Sequence, residues 1–301
     1  MFSDTHFHFE HTTIRDNKDH VVNGSEILTE MAKRKCFFGL DIGTEADDLL
    51  MRQQCLDNAI SQMNDSWMAD RVRQFLYFSA GIWPSIEDIH NRNERMKILK
   101  EQIETAGKTD NDTLHRKIIA VGECGLDHHW NPSGVDGRCE SDFDTATYKG
   151  ERELFEMQLE YGKELNLPVI IHSRDAFEDT LDCIKNCGYN KGIIHCYAYG
   201  VNEARAFLDL GWYISFSGSV TYTKKKKMPE MEELLRFVPE DRILCETDSP
   251  YLAPVPLRGT LNTPVNVIHT YDFIAKIRGI EKEALSEIVD KNIVKLFNLA
   301  E

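Results

Sequence analysis

The chain has 301 residues, of which 42% are hydrophobic, and a formal net charge of −15. This length allows one large core, so we expect a single domain over residues 1–301, and no signal-peptide pattern or apolar run of ~20 residues occurs. We therefore expect a cytoplasmic protein without membrane contact, and the acidic balance argues against a protein that coats long duplex nucleic acid.

Eight runs of mainly aliphatic residues predict strands, and between most of them lie helical patterns. The strand-like runs show little polar alternation, which is typical of parallel strands that are buried on both faces. Eight such units predict an α/β fold, a (β/α)8 TIM barrel, with its active site at the carboxyl ends of the strands. The predicted strands are 2–8, 35–42, 75–82, 117–123, 168–172, 191–196, 212–218 and 242–248. The predicted helices are 45–72, 86–105, 149–165, 175–187, 202–210, 229–237, 265–278 and 282–299.

The first predicted strand ends in Asp4-Thr-His6-Phe-His8. Side chains two apart in a strand point to the same face, so the two imidazoles converge as a metal requires. Taken alone, the pair is equally consistent with two surface or hydrogen-bonded histidines.

Four later strands also run directly into side chains that bind metals. Burying such a polar group at the tip of an apolar strand is costly unless something pairs with it. For Asp248 the alternative is a helix N-cap beside Ser249-Pro250. Five such strands in one chain predict an active site whose metal-type side chains are His6, His8, Glu123, His172, His195, Glu246 and Asp248.

Two polar inserts, 9–32 and 128–148, follow strand ends and would lie over the mouth of the barrel. We expect His128 and His129 to contact the loop or the substrate and not a metal. Cysteines beside the ligands are expected to point into the strand–helix layer as small buried thiols; these are Cys124, Cys196 and Cys245. Cys183 and Cys187 share a predicted helix and lack further partners for a metal.

In these motifs the chain resembles the TatD family of metal-dependent deoxyribonucleases, within the amidohydrolase-like group of metallo-barrels. The resemblance rests on Asp4-Thr-His6-Phe-His8, Gly122-Glu123-Cys124-Gly125-Leu126-Asp127, Leu167 to Ala176, His195-Cys196-Tyr197 and Glu246 to Leu252. Phe155-x-x-Gln158-Leu159 is also similar. The stretch from His195 to Gly200 is longer than the family's His-Cys-Phe-Ser-Gly type.

The resemblance implies two metal ions: His6, His8 and Asp248 would hold one, His172 and His195 the other, and Glu123 would bridge them. The mixed donor set suits Zn²⁺, Mn²⁺ or Co²⁺, whereas the family's nucleases use Mg²⁺, which we therefore expect as the activator. Two ions can clamp the attacking and leaving oxygens of a phosphodiester and activate a water, with Asp248 taking the water's proton.

Further residues are expected around this centre. Asp127 and Glu246 could orient a histidine ligand. Arg174 would bind a phosphate in a bidentate manner, or else pair with Asp175 or a helix carboxylate. Arg258 and Asn262 loosely match a family segment that follows the last strand, although the segment here is longer.

Four consecutive cations, Lys224, Lys225, Lys226 and Lys227, follow the seventh strand. A polyanionic substrate would explain them; the alternative is a solvated loop edge. Aromatic residues on the mouth loops could stack bases or serve packing alone; these are Tyr222, Trp130, Tyr197 and Tyr199.

The sequence thus predicts a monomeric metal-dependent nuclease that trims 3′ ends of single-stranded DNA, or RNA, as a 3′-5′ exonuclease. The first alternative is an amide or ester hydrolase such as a D-aminoacyl-tRNA deacylase, because the same water activation serves both reactions. The second is a metal-binding scaffold without catalysis, which is disfavoured since every ligand position is filled.

Overall fold

A computed structural model describes residues 2–14, 23–106, 118–129 and 139–299. Within these ranges eight strands form one sheet in the order of the chain, and each pair of neighbours is parallel. The strands are β1 (Asp4–Phe7), β2 (Gly39–Asp41), β3 (Leu76–Ala80), β4 (Ile118–Asp127), β5 (Val169–Arg174), β6 (Gly192–Ile194), β7 (Tyr213–Phe216) and β8 (Ile243–Cys245).

The sheet closes on itself through the segment that follows β8. Phe7 forms a parallel bridge with Ser249. The Asp248 amide donates to the His6 carbonyl at 2.9 Å, and the His8 amide donates to the Ser249 carbonyl at 2.8 Å. The predicted (β/α)8 barrel is therefore confirmed, and its closure places the histidine pair of β1 beside Asp248.

Helices surround the barrel. They are α1 (Phe9–Ile14), α2 (Gly24–Lys33), α3 (Leu49–Ser61), α4 (Ser66–Phe75), α5 (Ile86–His90), α6 (Arg92–Ala106), α7 (Thr145–Leu165), α8 (Phe177–Cys187), α9 (Val201–Asp209), α10 (Met228–Phe237), α11 (Val267–Arg278) and α12 (Lys282–Phe297). None of the described helices combines the length and the apolar composition needed to span a bilayer.

The strands are buried on both faces, as their aliphatic composition predicts. Val169, Ile170 and Ile171 of β5 are fully buried, as is Leu244 of β8. Such continuous burial is what helices on the outside and packed side chains on the inside of a parallel barrel produce. Because the strands are buried on both faces, the polar residues at their carboxyl ends can reach an opening only at the mouth of the barrel.

Helix boundaries differ from the prediction where a capping residue interrupts the helical pattern. The predicted helix 45–72 is two helices, because the Asp65 side chain accepts from the amides of Trp67 and Met68 and starts α4. The predicted helix 86–105 is also two helices: the Ser85 hydroxyl accepts from the Asp88 amide and caps the start of the short α5, which ends at His90 with Asn91 as its C-cap, and α6 begins at Arg92. An N-cap of this kind satisfies amides that the first turn leaves unbonded.

Several strand ends and one insert also differ from the prediction. β4 continues to Asp127, four residues beyond the predicted end, whereas β6 stops at Ile194 and β8 at Cys245. His195 and Asp248 thus lie just past their strands. The insert 9–32 supplies α1 and α2, and α2 packs against α3 and α4 as part of the outer layer. The remainder of that insert and residues 130–138 of the second lie outside the described residues.

Candidate metal centre

Four imidazoles and two carboxylates meet at the mouth of the barrel. Three of them lie within strands, namely His6 in β1, Glu123 in β4 and His172 in β5, and three lie just past strands, namely His8 after β1, His195 after β6 and Asp248 after β8. His6, His8, Glu123 and His195 are almost fully buried, whereas the side chains of Asp248 and His172 are 15% and 16% exposed. The centre is therefore reached from the mouth between Asp248 and His172. The sequence-predicted ligands are all brought together.

Glu123 lies between two pairs of histidines. Its Oε1 is 2.9 Å from His172 Nδ1 and 2.9 Å from His195 Nε2. Its Oε2 is 3.3 Å from His6 Nε2 and 3.8 Å from His8 Nε2. Each carboxylate oxygen thus faces a different pair, which is the arrangement that a bridging ligand requires.

Glycines allow Glu123 to approach β5 so closely. A Cβ at Gly122 would lie 2.6 Å from the Ile170 carbonyl oxygen, and one at Gly125 would lie 1.9 Å from that of His172. Both glycines also have φ values of +133° and +147°, which L side chains rarely adopt. The Gly-Glu-Cys-Gly sequence is therefore what brings this carboxylate to the histidines of β5 and β6.

Asp248 completes the group on the β1 side. Its Oδ1 is 3.6 Å from His6 Nε2 and 3.5 Å from His8 Nε2, and the two Nε2 atoms are 3.3 Å apart. In the described chain the next helical turn after Asp248 begins only at Pro264. Asp248 is therefore not a helix N-cap, and its side chain faces the histidines instead.

Oxygen acceptors fix the outer nitrogens of two of these rings. His8 Nδ1–H donates to the Ile42 carbonyl at 3.2 Å, which leaves its Nε2 lone pair for the centre. His172 is turned the other way: its Nε2–H donates to Asp127 Oδ2 at 3.0 Å, and Nδ1 faces Glu123. Such outer partners set the tautomer and orientation of ligand histidines.

Glu246 lies behind His195. Its Oε1 accepts from the Cys196 amide at 2.5 Å and is 3.6 Å from His195 Nδ1. Within the described residues, neither its Oε2 nor Nδ1 of His6 and His195 has a hydrogen-bond partner. Buried polar atoms are usually hydrogen-bonded in a folded protein, so these three are free to interact with a group bound at the centre.

Sequence reasoning gave no role to Asp4, which joins the two ends of the barrel. Its Oδ1 accepts from the amides of His6 and Thr247 at 3.1 and 3.0 Å, and its Oδ2 accepts from the Thr247 hydroxyl at 2.6 Å. Burial raises the pKa of Asp4 well above its ordinary value. The residue thereby ties the strand that carries His6 to the loop that carries Asp248.

The pKa values in the metal-free centre follow from its crowding. Burial would raise the pKa of Glu123, but His195, His172 and His6 hold it well below its ordinary value. Burial would lower the pKa of His172, yet Asp127 and Glu123 raise it to about 9. The pKa of His6 is lowered by burial and by the stacked ring of His195, 4.0 Å away.

These donors fit divalent metal ions. The ligand atoms of His6, His8 and Asp248 all lie within 4.8 Å of one another, as do those of His6, Glu123 and His195. A mixed imidazole and carboxylate set is typical of Zn²⁺, Mn²⁺ and similar ions. A cation there would displace the proton that His172 otherwise holds at neutral pH.

Sequence reasoning gave no role to two aromatic residues at the centre: Trp83 belongs to none of the motifs, and Tyr251 entered only as part of the motif from Glu246 to Leu252. Trp83, just past β3, lies edge-on to His172 with ring centroids 5.9 Å apart, and Tyr251 lies 6.0 Å from His8. The loop of Trp83 is held by Gln158, whose side-chain amide accepts from the Ile82 amide at 2.8 Å and donates to the Ile82 carbonyl at 2.9 Å.

The residues predicted to contact substrate lie at the mouth. Arg174 Nη1 is 4.0 Å from Asp127 Oδ2, and Asp175 instead pairs with His129 Nδ1 at 2.8 Å. Lys224, Lys225, Lys226 and Lys227 are exposed in the loop between β7 and α10. His128 Nε2 is 3.2 Å from Glu151 Oε2.

The aromatic residues that were expected either to stack bases or to serve packing differ in their surroundings. Tyr197 is buried and its hydroxyl donates to the Gly200 carbonyl at 2.7 Å. The Tyr199 hydroxyl lies 2.9 Å from that of Ser173 and accepts from the Ala176 amide. Both therefore serve packing, whereas Tyr222 lies at the mouth. Trp130 lies outside the described residues.

The three cysteines predicted to be buried differ in exposure. Cys124 and Cys245 are buried, whereas Cys196 is partly exposed, has a φ of 45° and places its thiol 3.3 Å from the Ser217 hydroxyl.

Asn262 is structural, since its buried amide donates to the carbonyls of Thr247 and Tyr251.

Comparisons with known proteins agree with this geometry. A family model for TatD related DNases matches residues 3–298. YabD of Bacillus subtilis, described as an uncharacterized metal-dependent hydrolase, is 34% identical over 227 residues, which is 75% of this chain and 78% of YabD. YcfH of Escherichia coli K12, with the same description, is 38% identical over 187 residues, 60% of this chain and 63% of YcfH.

Two solved structures share the fold. YJJV, a TatD homolog from Escherichia coli K12, has a TM-score of 0.74 at 22% identity and covers 99% of this chain and 98% of its own. A TatD family hydrolase from Entamoeba histolytica has a TM-score of 0.73 at 18% identity, with 98% and 97% covered. At these identities the similarity concerns the barrel alone.

Proposed function

Because this chain belongs to the family of TatD related DNases and is a metal-dependent hydrolase, we propose that it hydrolyses phosphodiester bonds at the ends of single-stranded DNA. RNA is a second substrate of the same kind. The observation that carries the proposal is the position of Glu123, whose two oxygens each face a separate pair of histidines.

The proposed centre holds two divalent ions. His6, His8 and Asp248 would hold one ion, His172 and His195 the other, and Glu123 would bridge them. When bound, such ions supply Lewis acidity toward a phosphoryl oxygen and acidify a water molecule to near neutral pH. We propose Mg²⁺ as the activator, with Mn²⁺ or Zn²⁺ as the alternatives that the imidazole donors favour.

Asp248 is proposed to accept the proton of the attacking water. Burial would raise the pKa of Asp248, but His8, His6 and His195 lower it, so the carboxylate is ionised at neutral pH. Its Oδ1 faces the histidines, which leaves Oδ2 for the proton. Its partial exposure places this oxygen at the opening where a substrate enters.

Cationic and aromatic side chains at the mouth are proposed to bind the substrate. Arg174 and the four lysines from Lys224 to Lys227 would contact phosphates, since guanidinium and ammonium groups are the usual phosphate donors. Trp83 beside His172 would stack a base next to the scissile bond. We further propose that the protein acts as a monomer in the cytoplasm.

The test is hydrolysis of a 5′-labelled single-stranded oligonucleotide with Mg²⁺, in parallel with EDTA and with His172→Ala. His90→Ala, which removes an exposed histidine of α5, is the matched control. We expect stepwise loss of 3′ nucleotides that vanishes with EDTA and in His172→Ala but persists in His90→Ala. An intact strand with folded, metal-loaded protein would contradict the proposal, and aminoacyl-tRNA would be the next substrate to test.

A further inference from the structure

Two loops beside the metal centre are joined into one structure. They run from 217 to 227, after β7, and from 249 to 263, after β8. The Tyr222 hydroxyl donates to the Ala253 carbonyl, and the Val255 amide donates to the Thr221 hydroxyl at 2.9 Å. A Cβ at Gly218 would lie 2.3 Å from the Leu252 carbonyl oxygen, so the two backbones are in direct contact.

Arg258 adds a fifth cation to the four lysines of this pair of loops. Its guanidinium lies 4.6 Å from the centroid of the Tyr222 ring, a distance at which cation–π attraction holds an arginine in place. Tyr222 itself is fixed by its hydroxyl. Arg258 is therefore held over the loop that carries Lys224 to Lys227, and we call these five residues the basic wall.

The cations of the basic wall have no carboxylate partner within the described part of the chain. Of the salt bridges among the described residues, none involves Arg258 or any of the four lysines. The chain carries 50 acidic residues against 35 basic ones, so carboxylates are plentiful. Five cations kept apart from them form a surface suited to a polyanion.

The loops after β2 and β5 carry a mixture of charges. Glu45 follows β2, and Asp175 and Glu178 follow β5, and all three side chains are exposed. On this side Arg174 of β5 is accompanied by carboxylates. The loops after β7 and β8 therefore offer a chain of phosphates the more uniformly cationic surface.

The basic wall begins next to the metal centre. Ser217, at the start of the first loop, lies 3.3 Å from the thiol of Cys196, which follows His195 directly. Tyr251 of the second loop contacts the His8 ring, and Ala253, which accepts from Tyr222, lies two residues further, within about 7 Å of chain. A strand end cleaved at the centre would thus continue over the wall.

We propose that Lys224–Lys227 and Arg258 form a one-sided track that binds the phosphates of the strand leading away from the scissile bond. This inference rests on the proposed nuclease function and makes Arg258 a specificity-determining residue. A substrate of several phosphates engages the wall and a dinucleotide does not. Affinity therefore rises with strand length.

The test compares KM for a single-stranded octanucleotide and a dinucleotide in four variants. Arg258→Ala and K224A/K225A/K226A/K227A are expected to raise KM for the octanucleotide by about tenfold or more and to raise the dinucleotide KM by a much smaller factor. Arg258→Lys keeps the charge but loses the planar contact with Tyr222, so its KM for the octanucleotide should lie between those of the wild type and of Arg258→Ala. The matched control, K97A/K185A/K291A/K295A, removes four exposed lysines from α6, α8 and α12 and should have no effect.

A binding experiment without catalysis separates this inference from the proposed function. Fluorescence anisotropy of a labelled octanucleotide with metal-free protein should show weaker binding in the wall variants. The slope of log K against log salt should become shallower by about 0.7 for each phosphate that a variant no longer binds. Equal affinity in wild type and wall variants, or equal KM changes for both substrate lengths, would overturn the track. If the wild type binds the octanucleotide through the wall but hydrolyses nothing, the proposed function fails and the track stands.

Discussion

The buried metal centre and the exposed basic wall lie side by side and are built in opposite ways. In the centre, each described ligand faces another ligand or an oxygen acceptor. The carboxylate of Glu123, for example, lies within 4 Å of nitrogen atoms of four histidines. In the wall, five cations face solvent, and no carboxylate of the described residues pairs with them. The difference suits the two roles that we propose: the centre would perform the chemistry, whereas the wall would set how strongly a long substrate is held.

The two regions should also respond differently to salt. Charges in a buried site interact at low dielectric and are screened little, whereas exposed charges are screened over a Debye length of about 8 Å at physiological salt. Changes at the centre should therefore alter metal binding and kcat at any ionic strength. Changes at the wall should alter KM, and only at low and moderate salt.

The largest effect is expected from Glu123→Gln. The amide keeps the shape of the carboxylate but removes the charge that two ions would share, so both ions should be lost together. Activity should fall by more than the about 100-fold that an outer partner of a ligand is worth. Metal content after dialysis measures the loss, with Glu101→Gln on the exposed face of α6 as control; a variant that keeps two ions would refute the bridging role.

The second largest loss of activity is expected from Asp248→Asn. If Asp248 accepts the water proton, kcat should fall by about 10²–10⁴-fold, while binding of an octanucleotide to the wall stays unchanged. Steady-state kinetics together with anisotropy measure the two quantities. Equal losses in kcat and in oligonucleotide binding would show that the centre and the wall are not separable at this residue.

The affinity for metal should rise with pH. In the metal-free protein His172 has a pKa of about 9, raised against burial by Asp127 and Glu123, so at pH 7 a proton must leave before an ion binds. Affinity should then increase by about tenfold per pH unit for each proton displaced, between pH 6 and 8. Calorimetry in buffers of different ionisation enthalpy would detect the released proton, and pH-independent binding would contradict this account.

The same protonation affects stability without metal. Because the folded-state pKa of His172 is raised above its ordinary value of 6.5, its contribution to stability is fully present below about pH 6.5 and is lost as the pH rises toward 9. The increase in Tm on adding metal should therefore grow over this pH range.

A smaller effect is expected from Asp127→Ala, which removes the acceptor that orients His172. Loss of such an outer partner costs about 10–100-fold in metal affinity or activity. Asp70→Ala on the surface of α4 is the control, because Asp70 is highly exposed. Metal titration of both variants should show the loss only in Asp127→Ala, and an unchanged affinity would mean that the ring is held by packing alone.

Much of the barrel and its centre could be predicted because both depend on short-range patterns. Aliphatic runs that end in His172 or His195 identify strand tips, and the spacing of His6 and His8 fixes their common face. Asp4 could not be assigned a role, because its partner Thr247 is 243 residues away. Trp83 and Gln158 act through tertiary contacts that leave no periodic pattern in the sequence.

Local backbone geometry explains the remaining differences. The cap at Asp65 divides a helix whose pattern is continuous, since a side-chain acceptor can start a new helix within it. The predicted helix 86–105 is divided at Asn91, the C-cap of α5. Cys196 departs from strand geometry directly after His195, so alternation along the strand no longer predicts its direction. Arg258 could not be placed over Tyr222 because the contact joins two separate loops.

The central claim is that two ions share Glu123. The most direct measurement is an anomalous difference map from crystals grown with Mn²⁺. We predict two peaks about 3.5–4 Å apart, one among His6, His8 and Asp248 and one beside His172 and His195, with Glu123 between them. A single peak, or a second ion that Glu123 does not contact, would contradict the account.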